Sequence, residues 1–290
     1  MQGHEVSMQG KVCLVTGATS GIGQVAAIEL ARRGAHIVIV GRSVEKCAST
    51  QAQIRATRSD AIVDTLVTDL SSLAETKRLA EQVREGYPRL DVLLNNAGAM
   101  FWNRSESVDG IEKTFALNHL SYFVLTNHLL PVLKQSAPAR IVNVASDAHK
   151  GVSINFDDFQ FKQKYSGWKA YQQSKLANIL FTYELAKRIE GMGVTANTLH
   201  PGFVLTNFLQ VFRDAPAGWL INALAPLVAI SPERGARTSI YLASSPEVEG
   251  VSGRYFVKEK PVVSSPQSRD ALAAERLWQV SVEMTGVGAS

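Results

Sequence analysis

Val12-Cys13-Leu14-Val15-Thr16-Gly17-Ala18-Thr19-Ser20-Gly21-Ile22-Gly23 passes from an apolar run straight into a turn with three glycines. Val12 to Val15 reads as a buried strand. The residues from Gln24 to Arg33 then carry Val25, Ile28, Leu30 and Ala31 at helical spacing. Strand, glycine turn and helix, in that order, form a geometry that binds a pyrophosphate. Glycine lets the backbone approach a ligand closely. The helix N-terminus offers unpaired N–H groups at the positive end of its dipole. The spacing is Gly-x-x-x-Gly-x-Gly, not the common Gly-x-Gly-x-x-Gly. The competing reading is a glycine-rich loop that binds nothing.

Outward from this stretch, strands and helices alternate. Gly34 closes the first helix, and strands are expected at His36–Val40, Ala61–Val67, Asp91–Leu94, Arg140–Ala145, Val194–Leu199 and near Arg254–Val257. Helices are expected at Val44–Arg58, Ser72–Tyr87, Gly110–Leu133, Trp168–Ile189 and Ala271–Val282. This alternation predicts an α/β fold, a doubly wound parallel sheet of about seven strands with helices on both faces. The fifth strand is expected to run beside the first. No repeat or linker divides the chain, so one domain is expected over residues 1–290. It has a polar tail (1–10), a substrate-covering segment (203–231) and a C-terminal extension (259–290).

The 290 residues are 46% hydrophobic, enough for a sizeable core. Net charge is 30 − 26 = +4, with no basic run of nucleic-acid type. Cys13 and Cys47 have neither metal-ligand spacing nor an expected disulfide, which suits a reducing cytoplasm. No signal region opens the sequence, and no run is long enough to span a bilayer. A cytoplasmic protein without a metal site is the expectation.

Ligands gather at strand ends in such sheets. Here the ends carry Gly17, Arg42, Asp69, Asn95, Ser146 and Pro201. Tyr171 and Lys175 lie four apart in a predicted helix and share one face. Alone, that pair is commonplace. In sequence order, however, the chain has the glycine turn, Asn95-Asn96-Ala97-Gly98, Asn118, Ser146, Tyr171-x-x-x-Lys175 and Pro201-Gly202. This set resembles the short-chain dehydrogenases/reductases over roughly residues 10–255.

The resemblance implies a Rossmann-type fold and a nicotinamide cofactor. Gly17, Thr19, Ser20, Gly21, Ile22 and Gly23 would hold its pyrophosphate side. Asp69 and Leu70 would meet the adenine, and Asn95, Ala97 and Gly98 would line the bound dinucleotide. Pro201, Gly202, Val204 and Thr206 would lie beside the nicotinamide. The second strand ends Val40-Gly41-Arg42-Ser43, with no carboxylate to select NAD. Arg42 can pair bidentately with a 2′-phosphate, with Ser43 and Lys46 assisting, so NADP(H) is expected over NAD(H).

The implied chemistry is hydride transfer at a carbon bearing oxygen, with Tyr171 moving the proton. A free phenol titrates near 10 and is a poor base. A neighbouring Lys175 cation is expected to lower that value and also to bind the nicotinamide ribose. Ser146 would polarise the substrate oxygen, and Asn118 would orient a water linking Lys175 to solvent.

Between Ser146 and Tyr171 lie Ile154, Phe156, Phe159, Phe161, Tyr165 and Trp168. After Pro201 come Phe208, Leu209, Phe212, Trp219, Leu220, Leu224 and Leu227. Such an apolar cover suits a bulky lipophilic carbonyl or alcohol as the small-molecule substrate. Packing or a subunit contact is the competing reading. Asp157, Tyr165, Trp168 and Leu277-Trp278 resemble the retinol dehydrogenase-like and WW-domain oxidoreductase-like branch. His149 reads as a loop histidine without a role. Family members commonly pair through the two long helices, implying a homodimer or homotetramer, with a monomer as alternative. The rival functions are a cofactor sensor without turnover and an interaction module.

Overall fold

Strand β1 (Val12–Thr16) is buried at every position and pairs in parallel with β2 (His36–Gly41) on one side and β4 (Val92–Asn95) on the other. The computed structural model describes residues 6–204 and 229–287, and the statements below concern those residues. Beyond β2 lies β3 (Val63–Val67). Beyond β4 lie β5 (Ala139–Val144), β6 (Val194–His200), β7 (Tyr255–Val257) and β8 (Lys260–Val262). The order is β3-β2-β1-β4-β5-β6-β7-β8. The chain winds outward from β1 to β3, crosses back, and winds outward again from β4. The reversal opens a crevice between β1 and β4 at their carboxyl ends.

Two expectations are corrected here. β5 does not run beside β1, because β4 lies between them and pairs with both. An eighth strand extends the expected seven. β8 is antiparallel to β7, joined through Lys258 (φ 50°) and Glu259 (φ 65°). A two-residue hairpin with both central residues left-handed normally carries Asn-Gly or Asp-Gly. Lys-Glu hides that turn from a reader of sequence.

Side chains alternate along each strand, so the apolar runs feed two cores. Cys13, Val15, Ile37 and Ile39 pack on one face with helix α1 (Gly21–Arg32). Leu14, Val38 and Val40 pack on the other with Leu79 of α3 (Leu73–Gly86) and Phe123 of α5 (Ser121–Gln135). Helix α2 (Val44–Thr57) adds Cys47 and Ile54 to the first face. Both cysteines are free and buried.

The helix expected over residues 110–133 begins later and is broken. Glu112 caps it, its carboxylate accepting the Thr114 and Phe115 N–H groups at 2.9 and 2.7 Å. A short α4 (Lys113–Phe115) leads into one wide π turn, Ala116–Leu120, before α5. Asn118 sits in that π turn, a device often found at functional positions.

Helix α6 (Gly167–Arg188) starts at a Ser166 cap and packs against the C-terminal helix, here α8 (Ala271–Thr285). Helix α7 (Pro232–Ser244), which the sequence reading did not place, packs against α1. The Trp278 ring lies 5.0 Å from Phe123 and 5.8 Å from Phe181, so this stretch of the extension belongs to the core. Among the described residues, no helix is long and apolar enough to cross a membrane, and no group of three His, Cys, Asp or Glu side chains could hold a metal.

Candidate active site

The glycine turn is shaped by close approach. Gly17 (φ 64°) and Gly21 (φ 56°) take the left-handed conformation that glycine adopts without cost. A Cβ on Gly17 would lie 2.9 Å from Ala97 Cα, and one on Gly23 would collide with the Gly17 carbonyl and the Asn96 amide. Ser20 caps α1 without a side-chain bond, and no acidic residue sits in the first turn. The helix therefore keeps its N-terminal amides for an outside anion. Thr19 faces Gly41, where a Cβ would strike its methyl group. Ile22 and Val204 both press on Gly235 at the start of α7, joining the turn to the Pro201-Gly202 segment.

Thr16 and Asn96 fasten the crevice together. Thr16 Oγ1 accepts the Asn96 and Ala97 N–H groups at 2.9 and 3.0 Å. Asn96 Nδ2 donates to the Thr16 and Gly17 carbonyls at 2.9 and 3.3 Å. Neither was among the candidate residues, although both stand inside the motifs that were read. Asn95 goes the other way. Its side chain is wholly buried and donates to Asn143 at 2.9 Å and Thr126 at 3.1 Å. Strand alternation turns that side chain beneath the sheet, which leaves the backbone of Asn95 for the crevice.

At the second strand end, Arg42 is exposed beside Asp69. Burial raises the Asp69 carboxyl, but the Ser71 N–H and hydroxyl bonds, with Arg42 and Lys113 nearby, outweigh it and hold it below the usual carboxylate range. Leu70 is buried in the sheet core. The Ser43 hydroxyl is committed to helix α2. It accepts the Lys46 N–H at 3.2 Å and donates to Glu45 at 2.6 Å. Arg42 stands exposed at this strand end, with Asp69 as its neighbour.

Ser146 lies two residues beyond the end of β5, Tyr171 and Lys175 lie one turn apart on α6, and all three converge. Tyr171 is 9% exposed and Lys175 4%. The Ser146 side chain hydrogen-bonds the Tyr171 phenol. Lys175 Nζ lies 5.8 Å from the Tyr171 ring centre and donates to the Val144 carbonyl at 3.1 Å. A Cβ on Gly98 would lie 3.2 Å from both Lys175 Nζ and Asn118 Oδ1, so this glycine separates the two.

The electrostatics differ from the expectation. Burial pushes the Tyr171 phenol up to about 12, and the group that opposes this is Ser146, not Lys175. Burial also brings Lys175 down to about 8. Both shifts have one cause, the cost of keeping a charge away from water. Asn118 differs as well. Its Nδ2 donates to the Ala99 carbonyl and to Ser174 Oγ, both at 2.9 Å, while Oδ1 accepts the Ala99 N–H at 2.8 Å. With both amide hydrogens spent, the side chain shapes the loop after β4 before it orients any water.

Gly202 (φ 96°) turns the chain after β6, and the Ile230 N–H donates to the Phe203 carbonyl at 2.8 Å. Thr206 and the apolar residues Phe208, Leu209, Phe212, Trp219, Leu220, Leu224 and Leu227 lie outside the described residues. In the other expected cover, Ile154, Phe156 and Phe159 pack on the core formed by α4, α6 and α8. The Tyr165 hydroxyl donates to the Phe101 carbonyl at 2.7 Å. Trp168, 39% exposed, stacks on the Tyr171 ring at 5.9 Å. His149 is not idle, for it is fully buried with its Nδ1 2.6 Å from the Ser146 carbonyl.

The family model described as short chain dehydrogenase matches residues 11–217. The chain is 42% identical to retinol dehydrogenase 14 of Mus musculus over 293 residues, covering 97% of this chain and 87% of that one. It is 42% identical to retinol dehydrogenase 12 of Homo sapiens over 282 residues, with 97% and 88% covered. Among solved structures, an uncharacterized protein from Mycobacterium paratuberculosis aligns with TM-score 0.79 at 33% identity, covering 99% of this chain and 97% of that one. The Pseudomonas aeruginosa RhlG/NADP active-site complex aligns with TM-score 0.69 at 31% identity, with 86% and 95% covered. The matched residues 11–217 span the glycine turn, Ser146, Tyr171 and Lys175, and the chain belongs to the short-chain dehydrogenase family, in its retinol dehydrogenase-like branch, as an oxidoreductase acting on CH–OH groups.

Proposed function

We propose that the protein is an NADP-dependent oxidoreductase that interconverts a hydrophobic carbonyl and its alcohol. The observation that carries this is the buried Tyr171 phenol, hydrogen-bonded to Ser146, with Lys175 one helical turn away beside a glycine cradle. The cradle fits a dinucleotide, since no Cβ could stand at Gly17 or Gly23 without displacing backbone or Asn96. Gly17, Thr19, Ser20, Gly21, Ile22 and Gly23 would hold the pyrophosphate, Arg42 the 2′-phosphate, and Asp69 with Leu70 the adenine. The backbone of residues 95–98, with Pro201, Gly202, Val204 and Thr206, would flank the nicotinamide. When bound, NADP(H) supplies or accepts the hydride.

The chain's own residues handle the oxygen and its proton. In reduction, Tyr171 donates its phenolic proton to the substrate oxygen, and in oxidation it takes the proton back. A phenol near 12 is a competent donor at neutral pH and a weak base. Ser146 donates a hydrogen bond to the same oxygen and stabilises the charge that develops there. Lys175, still mostly ammonium at pH 7, would stabilise the developing phenolate and would hold the nicotinamide ribose when the cofactor is bound. Named relatives are retinol dehydrogenases, which makes retinal and other long apolar aldehydes or ketones the first substrates to try.

The test is a panel of apolar carbonyls with NADPH and NADH, followed at the nicotinamide absorbance. Tyr171→Phe should keep NADPH affinity within about twofold and lose at least about 100-fold in kcat. Arg42→Ala should weaken NADPH by about tenfold or more and leave NADH unchanged. Wild-type turnover in Tyr171→Phe, or equal NADH and NADPH affinities that ignore Arg42, would refute the corresponding part. A cofactor sensor would bind NADPH and turn over no member of the panel.

A further inference from the structure

Ser146 is the second residue after the end of β5, and its hydroxyl must stay within a few tenths of an ångström to serve Tyr171. Four side chains grip the residues around it. The Asp147 N–H donates to His200 Nδ1 at 3.1 Å, from the end of β6. The Asp147 carboxylate accepts from the Tyr255 hydroxyl on β7 at 2.9 Å and pairs with Lys150 Nζ at 2.9 Å. His149 Nδ1 lies 2.6 Å from the Ser146 carbonyl, and its Nε2 accepts the Ser265 N–H at 3.4 Å.

These partners assign the tautomers. A carbonyl only accepts, so His149 carries its proton on Nδ1. An amide only donates, so His200 Nδ1 is bare and its proton sits on Nε2, which points toward Asp147 Oδ2 at 3.8 Å. Burial holds His200 below the ordinary histidine range, against the pull of Asp147 and with Lys150 and His149 adding to the depression. The acceptor lone pair therefore persists at neutral pH.

We propose that His200 is a positioning residue for the reaction: its unprotonated Nδ1 ties the Asp147 amide to the end of β6 and thereby aims the Ser146 hydroxyl at Tyr171. This rests on the oxidoreductase reading of the site and adds to it a residue that touches no reacting atom. Tyr255, reaching the same aspartate from β7, makes the anchorage two-sided. Ser146 is then held both by its own turn, where its hydroxyl accepts the Ala148 N–H at 3.2 Å and His149 Nδ1 lies 2.6 Å from its carbonyl, and by the strand ends that grip Asp147.

The experiment compares His200→Phe, which keeps a flat ring without an acceptor, with His200→Asn, whose Oδ1 occupies the place of Nδ1. His200→Phe should lose about tenfold or more in kcat on the best carbonyl of the panel, with NADPH affinity within twofold. His200→Asn should recover most of that loss. In the Ser146→Ala background, His200→Phe should cost no more than twofold further, because the hydroxyl it aims is gone. Equal kcat in His200→Phe and wild type, beside an inactive Ser146→Ala, would overturn the proposal and leave the oxidoreductase reading standing. If the wild type reduces nothing on the panel, that reading falls, and the crystal structure of His200→Phe decides the positional claim. A Ser146 hydroxyl displaced from Tyr171 supports it, and an unmoved one overturns it.

Discussion

Replacing Asn118 with alanine removes three hydrogen bonds at once, at 2.8, 2.9 and 2.9 Å, from a side chain with no exposed surface. The groups left behind are the N–H and carbonyl of Ala99 and the hydroxyl of Ser174. Ser174 keeps its bond to the Tyr171 carbonyl at 2.8 Å, so it is not stranded. Ala99 is partly exposed, and water can reach some of what it loses. Each lost bond is worth about 0.5–1.5 kcal/mol net. A total near 3 kcal/mol follows, and at about 2–4 °C per kcal/mol the expected fall in Tm is about 6–12 °C. The loop after β4 carries Gly98, which stands between Asn118 and Lys175, so NADPH affinity should fall as well. Asn118→Asp keeps the acceptor for the Ala99 N–H and loses both donations, and should lie between alanine and wild type. Thermal unfolding by circular dichroism, with and without NADPH, reads both effects. An alanine variant that melts within about 1 °C of wild type yet has lost its kcat would refute the reasoning. It would return Asn118 to the purely water-orienting role expected from sequence.

The pH dependence follows from Lys175, which burial lowers from 10.5 to about 8. Between those values the unfolded chain binds more protons than the folded one, so this group's contribution to stability rises with pH across that window. The ammonium disappears over the same range. NADPH affinity of the free enzyme should therefore weaken above about pH 8, and fluorescence titration of Lys175→Met should show that limb abolished. Gly23→Ala drives a methyl group into the Gly17 carbonyl and the Asn96 amide. It should cost at least tenfold in NADPH affinity by calorimetry, and unchanged affinity would mean that the turn does not hold the cofactor. Trp278→Ala empties the space between Phe123 and Phe181 and removes the ring under the Arg188 guanidinium, 4.3 Å away. About 3–5 kcal/mol of stability should be lost in denaturant unfolding, and a loss below 1 kcal/mol would show that α8 is not part of the core.

Local signals carried the reading of sequence wherever a local rule operates. The glycine turn was legible because no residue with a Cβ fits between Gly17, Ala97 and Asn96. The parallel strands were legible because burial on both faces leaves unbroken apolar runs such as Val12–Val15 and Ile37–Val40. Tyr171 and Lys175 shared a helix face by period alone. What escaped was non-local or atypical. Strand order depends on which side of β1 the chain crosses to, and nothing within β5 encodes that β4 stands between. The Lys258-Glu259 turn lacks the residues that usually announce it. The break at Asn118 arises where the chain shifts into a π turn, although every residue from Lys113 to Gln135 belongs to one helical run.

The candidate residues of the proposed chemistry were thus legible in sequence, through spacing that a strand, a turn or a helix satisfies. Their working state was decided by tertiary structure. The same burial lifts the Tyr171 phenol and lowers the Lys175 ammonium, and no spacing reveals how much water a folded chain excludes. Nor could the sequence pair His200 with Asp147 across 53 residues, since that contact exists only because β5 and β6 lie side by side in one register.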